Sequence, residues 1–208
     1  MKKVLMVMLC LVLVGAGVFG GIIWLQNHPR EENQGGVISS YNYLGNARGF
    51  TVTAGTGGEF PGASGQTVEE MEAKLDELVA FAKSSSFNTI FFRVADGSQA
   101  YYRSKILEPA EIITAEDGLF SKFDPLSYLC KAAAKEKVQV FAVLDAFSAD
   151  GPAPDPSSEE DRQRAADLAA ELARGYAVAG VILDGLDSPA GEDSFSAAVT
   201  QVSDAMEK

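Results

Sequence analysis

The chain has 208 residues and a formal net charge of −12, from 17 Lys plus Arg against 29 Asp plus Glu. An acidic surface with no basic cluster repels phosphate backbones, which excludes nucleic acid as the expected partner. One His and two Cys leave almost no material for a zinc centre, a histidine-based triad or a disulfide framework, so no metal or other cofactor is expected and stability must come from a packed core.

Lys2 and Lys3 precede an uncharged run from Val4 to Leu25, about 22 residues, which is long enough to span a bilayer. A cleaved signal peptide would have a shorter apolar region and a small-x-small site. Gly15–Gly21 supplies such a site only weakly, and Val7, Met8 and Leu9 before Cys10 lack the small residue of a lipoprotein signal. The expectation is an uncleaved signal anchor over 1–27, crossing the cell membrane once with its positive flank inside and the domain outside the cytoplasm. Without Lys2 and Lys3, the net −12 becomes −14 for the exported part. Residues 28–46 open with His28-Pro-Arg-Glu-Glu-Asn-Gln-Gly-Gly, which is polar and without period, and read as a flexible linker in which His28 is solvated. Residues 47–208, roughly 160, suffice for one domain.

Within that domain the first apolar, strand-like run is Phe50–Gly55. A helix follows, opened by the capping box Thr67-Val-Glu-Glu70 and striped with Met71, Leu75, Leu78, Val79 and Ala82. The second strand is Thr89–Asp96. A long irregular loop from Asp96 to Phe123 comes next, a length that is usually functional or disordered. Its Tyr101, Tyr102 and Phe120 suit either sugar stacking or packing of the loop onto the rim.

Asp124-Pro125 provides a cap and a first-turn proline for a helix bearing Leu126, Leu129, Cys130 and Ala133, which makes Cys130 a core thiol. The third strand is Val138–Asp145. Ser157 to Glu160 repeats the capping pattern before Ala165, Leu168, Ala169, Leu172 and Ala173, with Gly175 as the stop. The fourth strand, Val178–Asp184, precedes a last helix, Ser194 to Met206, with Phe195, Ala198, Val199, Val202 and Met206 on one face.

Near-continuous Val, Ile, Leu and Phe in the strands suits parallel neighbours buried on both faces, and helical crossovers require them. The expected fold is therefore α/β: four consecutive β/α units in the order one to four, half of a (β/α)8 TIM barrel, preceded by one transmembrane helix. In half a barrel the inner face, with Phe91, Phe141, Val143 and Ile182, would lie open to water beside two strand edges. Either a second copy of the chain or another half-barrel chain completes the barrel, or the chain is a truncated gene product, or the long loop folds back as a lid. Chemistry in such folds sits where strands finish, which selects Arg93, Asp96, Asp145, Asp184 and Asp187.

Several stretches resemble the glycosyl hydrolase-like 10 family. They are Ala47-Arg-Gly-Phe-Thr-Val-Thr53, Phe87-Asn-Thr-Ile-Phe-Phe-Arg-Val94, Tyr101 to Pro109 with Ser104 and Glu108, Asp124-Pro-Leu126, and Val138 to Phe147. The similarity runs from about Ala47 to Asp187 and covers the front half of such a barrel. It implies an extracytoplasmic barrel acting on glycans, cell-wall polymers among them.

The polar rim departs from the family pattern. Arg93 is kept, but the proline after it is Val94, and Gly97 is followed by Ser98 in place of Asp. The third strand's Asn-Pro-aromatic-Arg reads Asp145-Ala-Phe-Ser148. The fourth strand's Gly-Ile-His-Phe-Asp-Asp-Tyr reads Gly180-Val-Ile-Leu-Asp184-Gly-Leu186.

Glycoside hydrolysis needs two carboxyl groups flanking the scissile bond. Asp184 is the first candidate, with Asp145 on the adjacent strand as its partner. Arg93, Asp96, Tyr101, Tyr102 and Asp187 are candidates for substrate binding, Arg93 orienting the acids or binding substrate oxygens. A strand-end Asp also serves commonly as a helix cap or loop acceptor, the stronger reading for Asp187. Two functions stay open: a membrane-anchored glycan hydrolase, and a catalytically degenerate relative that binds glycan or a protein partner.

Overall fold

A computed structural model describes residues 46–96, 99–113, 123–147, 155–184 and 191–207. The chain divides into two units, 1–34 and 35–208, and every described residue belongs to the second. The Val4–Leu25 run and the linker up to residue 45 lie outside the described residues, as do Phe120 and Asp187. Among the described residues no helix is long and apolar enough to cross a membrane.

The elements run β1 (Gly49–Val52), β2 (Ala54–Thr56), β3 (Phe60–Gly62), α1 (Val68–Ser84), β4 (Thr89–Asp96), β5 (Gln99–Ala100) and β6 (Glu108–Pro109). After a 3-10 turn at Glu111–Ile113 come α2 (Pro125–Lys135), β7 (Gln139–Asp145), α3 (Glu159–Gly175), β8 (Gly180–Asp184) and α4 (Glu192–Glu207). Strands β1, β4, β7 and β8 lie side by side and parallel in that order, as helical crossovers between them demand. The four expected strands are thus present in the expected order.

One sheet face packs on the helices. Ile90, Phe92, Val94 and Ala95 of β4 and Ala142 of β7 are 0% exposed there, joined by Leu75, Leu126, Leu129, Ala169 and Leu172 from the helices. The opposite face is less open than the half-barrel argument expects. Phe91 and Phe141 stand in register with ring centroids 5.7 Å apart, and Phe141 and Val143 are only 4% and 6% exposed, whereas Phe91 and Ile182 are half-buried. Mutual packing of neighbouring side chains in the sheet centre removes water that a strand count alone leaves there.

Local chemistry explains where element boundaries move. The expected strand Phe50–Gly55 is two pieces, because the Thr53 amide donates to the Glu59 carboxylate at 2.8 Å and Gly55 adopts φ +118°, a conformation that suits glycine. The second piece, β2, pairs with β3 in a sheet of its own. The capping box of α1 is reciprocal, Glu70 amide to Thr67 hydroxyl at 3.2 Å and Thr67 amide to Glu70 carboxylate at 2.8 Å. Asp124 caps α2 through the Ser127 amide at 3.1 Å.

On α3 the cap is Ser158 rather than Ser157, whose own amide is held by Asp155 at 2.8 Å in an Asx turn. Gly175 is the last helical residue and not a left-handed stop; the chain leaves through an extended Tyr176. Helix α4 buries only Ala198 and Val202, with Val199 47% exposed, so its apolar stripe is narrower than its sequence suggests. The expected irregular loop 96–123 contains β5 and β6, and β5 joins β4 antiparallel at Ala95 and Ala100.

Candidate functional site

Three parallel strands end together, and their register sets the site. Phe91, Arg93, Phe141, Val143 and Ile182 share the face away from the core cluster, and Asp145 and Asp184 continue that alternation at the ends of β7 and β8. Asp145 stands directly opposite Asp184, which places the two backbones about 4.8 Å apart. Arg93, from the third strand, reaches both: one terminal nitrogen donates to Asp145 Oδ2 at 3.0 Å and the other to Asp184 Oδ2 at 2.7 Å.

Burial grades across this bridge. The side chains of Asp145, Arg93 and Asp184 are 13%, 27% and 49% exposed. The acid near the sheet centre is largely desolvated and the edge acid is half in water. Arg93 Nε is buried with no hydrogen-bond partner among the described residues, so its two bridging N–H contacts are what hold the guanidinium. Ala146 closes the end of β7 by donating its amide to the Asp184 carbonyl at 3.2 Å.

A β-bulge in β4 adds a third position. Register shifts between Arg93 and Ala95, where two steps on β4 match one step on β7, and Val94 is the extra residue. Simple alternation from Arg93 would put Asp96 on the core side. The bulge instead sets Asp96 opposite Asp145, so that Asp96, Asp145 and Asp184 form one row across three strands in backbone register. Nothing in the sequence marks that bulge.

Tyr101 and Tyr102 do not join the site. They are 4% and 0% exposed, so neither ring offers a face for a sugar to stack on. Tyr102 packs edge-on against Tyr176 at 5.5 Å and donates its hydroxyl to Glu171 at 2.9 Å. Burial first raises the Tyr102 hydroxyl well above the usual phenol range, with the Glu171 charge adding to it. Their packing on the rim is the role the structure gives them, and substrate contact is withdrawn for both. Glu171 itself went unselected by sequence reasoning; its only signal is a carboxylate beside the apolar stripe of α3. Asp187 lies outside the described residues.

Only a small cavity touches the bridge among the described residues. A pocket of about 10 Å³ touches Asp145 beside Ala95, Leu144 and Arg164, room for about one water. A groove of about 710 Å³ opens elsewhere, lined by Arg103, Lys105, Asp124, Glu171, Arg174 and Tyr176 among others. The bridge is the candidate site, because strand ends bring charged groups from three strands into contact there. No group of three His, Cys, Asp or Glu among the described residues has the arrangement of a metal site.

No family model matches the chain, and no curated protein matches it. Solved structures similar to it are glycoside hydrolases. One is a noncanonic maltogenic alpha-amylase from Thermotoga neapolitana, 14% identical over 74% of this chain and 42% of that one, with a TM-score of 0.45. Another is an endocellulase from Pyrococcus horikoshii in complex with cellotetraose, 16% identical over 64% of this chain and 41% of that one, with a TM-score of 0.38. The chain therefore spans less than half the length of these structures.

Proposed function

We propose that this chain is a membrane-anchored, extracytoplasmic module that binds cell-wall or other polysaccharide at the strand ends of a degenerate glycoside hydrolase-like half-barrel, without cleaving it. The observation that carries the reading is the Arg93 bridge between Asp145 and Asp184. Hydrolysis needs one carboxyl group that brings a proton to the leaving oxygen. Here each acid commits one oxygen to an N–H of the same guanidinium, and an oxygen held in such a charge-assisted bond faces Arg93 and not a leaving group. Carboxylates and a guanidinium remain well suited to hold sugar hydroxyls, as acceptors and donors respectively. The loss of the family's His, second acid and Tyr around Asp184 supports the same reading.

The membrane anchor rests on Lys2, Lys3 and the uncharged Val4–Leu25 run. Protease added to intact cells should remove the domain, and a mature N-terminus near Gly20 would replace the anchor with a cleaved signal.

One observation favours the hydrolase alternative. Asp145 and Asp184 stand opposite each other on adjacent strands whose backbones lie about 4.8 Å apart, and retaining glycosidases likewise draw on two neighbouring carboxyls. The deciding experiment measures reducing-end release from cell-wall polysaccharide alongside binding, for the full chain and for Asp184→Asn. Binding without release is expected. Release by the wild type that falls about a thousandfold in Asp184→Asn would establish the hydrolase instead.

A further inference from the structure

Glu171 sits on α3 and touches none of Arg93, Asp145 or Asp184, yet its carboxylate gathers three donors from one short segment. The Tyr102 hydroxyl reaches it at 2.9 Å, the Ser104 hydroxyl at 2.7 Å and the Lys105 amide at 2.6 Å. Ser104 in turn accepts from the amides of Ile106 at 3.0 Å and Leu107 at 3.1 Å. The turn after β5 is thus closed on itself and tied to α3 through one side chain.

That turn leads directly back to the site. The Tyr101 amide donates to the Val94 carbonyl at 2.8 Å, and Ala100 pairs with Ala95. Val94 is the extra residue of the bulge, and the bulge is what sets Asp96 opposite Asp145. A bulge leaves one residue outside the ladder; here the carbonyl of that residue is held by the segment that Glu171 clasps. Tyr102 and Tyr176 add an edge-on ring contact at the same place, and the Tyr176 hydroxyl lies 2.7 Å from Asp124 Oδ2.

We infer that Glu171 is a positioning residue for the strand-end site: by clasping Tyr102, Ser104 and Lys105 it holds the bulge that sets the register of Asp96 beside Asp145 and the Arg93 bridge. The effect on ligand binding rests on the polysaccharide-binding proposal, whereas the effect on the bulge does not.

Hydrogen exchange of the full chain tests the clasp. Glu171→Gln preserves size but turns an NH2 group toward a set of donors. Peptides covering Val94–Lys105 should then exchange about tenfold faster or more, with α1 and α2 within about twofold of wild type, since local openings have their own free energies. The dissociation constant for solubilised cell-wall polysaccharide, the probe of the binding assay above, should rise about tenfold. Tyr102→Phe removes one of the three bonds and keeps the ring; it should give the same local pattern at smaller amplitude, and it decides the matter if Glu171→Gln does not fold. Uniform acceleration across all peptides, or none at Val94–Lys105, would overturn the clasp. Local acceleration with unchanged affinity would overturn its bearing on the site. If the wild type binds no polysaccharide, the proposed function fails while the exchange result still judges the clasp.

Discussion

Replacing Arg93 by Met tests whether the bridge acts through charge. The substitution keeps a long, flexible stem and removes the guanidinium, leaving Asp145 and Asp184 facing each other about 5 Å apart across adjacent strands. At that separation two like charges repel by about 3 kcal/mol at an effective dielectric of ~20 and by less than ~1 kcal/mol in water. Asp145 is 13% exposed and Asp184 49%, so the pair lies between those limits. The Asp184 contact also carries only the small worth of a half-exposed ion pair. A net loss of about 2 kcal/mol follows, or a fall in Tm of about 4–8 °C for a domain of this size.

The assay is thermal unfolding of the full chain at pH 7, with Arg93→Met/Asp184→Asn completing a double-mutant cycle. Neutralising Asp184 by substitution removes the repulsion without touching the Arg93 stem. The double variant should regain most of the loss at pH 7. A change in Tm under about 1 °C, or a double variant that regains none of the loss, would show that the charge bridge does not contribute.

Three further expectations follow from the core and the caps. Burial, and then the negative charge of Asp124, pushes the Cys130 thiol up to about 12 from 9.0. In a Cys10→Ser background a thiol reagent at pH 8 should therefore label the native protein about a thousandfold more slowly than the unfolded chain, and equal rates would refute a core thiol. Because the folded value is the higher one, this stability contribution is complete below pH 9.0 and is lost as pH rises toward 12; Tyr102 and Tyr176, both raised chiefly by burial, act in the same direction above 10.0. Cys130→Ala should delay the onset of alkaline destabilisation to about pH 10, where tyrosine ionisation begins. Thr67→Ala should cost about 1 kcal/mol through the lost cap, read as a fall in Tm of about 2–4 °C, while Thr67→Ser stays near wild type; no difference between the two would mean the cap contributes nothing.

Much of the architecture could be read from the residues alone because its causes are local. A hydroxyl at Thr67 with Glu70 three residues on, or Asp124 before Pro125, is enough to start a helix, and continuous apolar runs between helices require parallel strands. The same alternation, followed along β7 and β8, puts Asp145 and Asp184 on the face away from the core. What the sequence could not yield depends on alignment between distant segments. The Val94 bulge sets the backbone of Asp96 opposite Asp145, a register fixed by pairing with a strand distant in the chain. Tyr102 is a rim aromatic in sequence but a buried donor in the fold, since its partner Glu171 lies 69 residues away. Arg93, Asp145 and Asp184 were each legible as strand-end charges; that one guanidinium bridges both acids arises only when three strands bring their ends together.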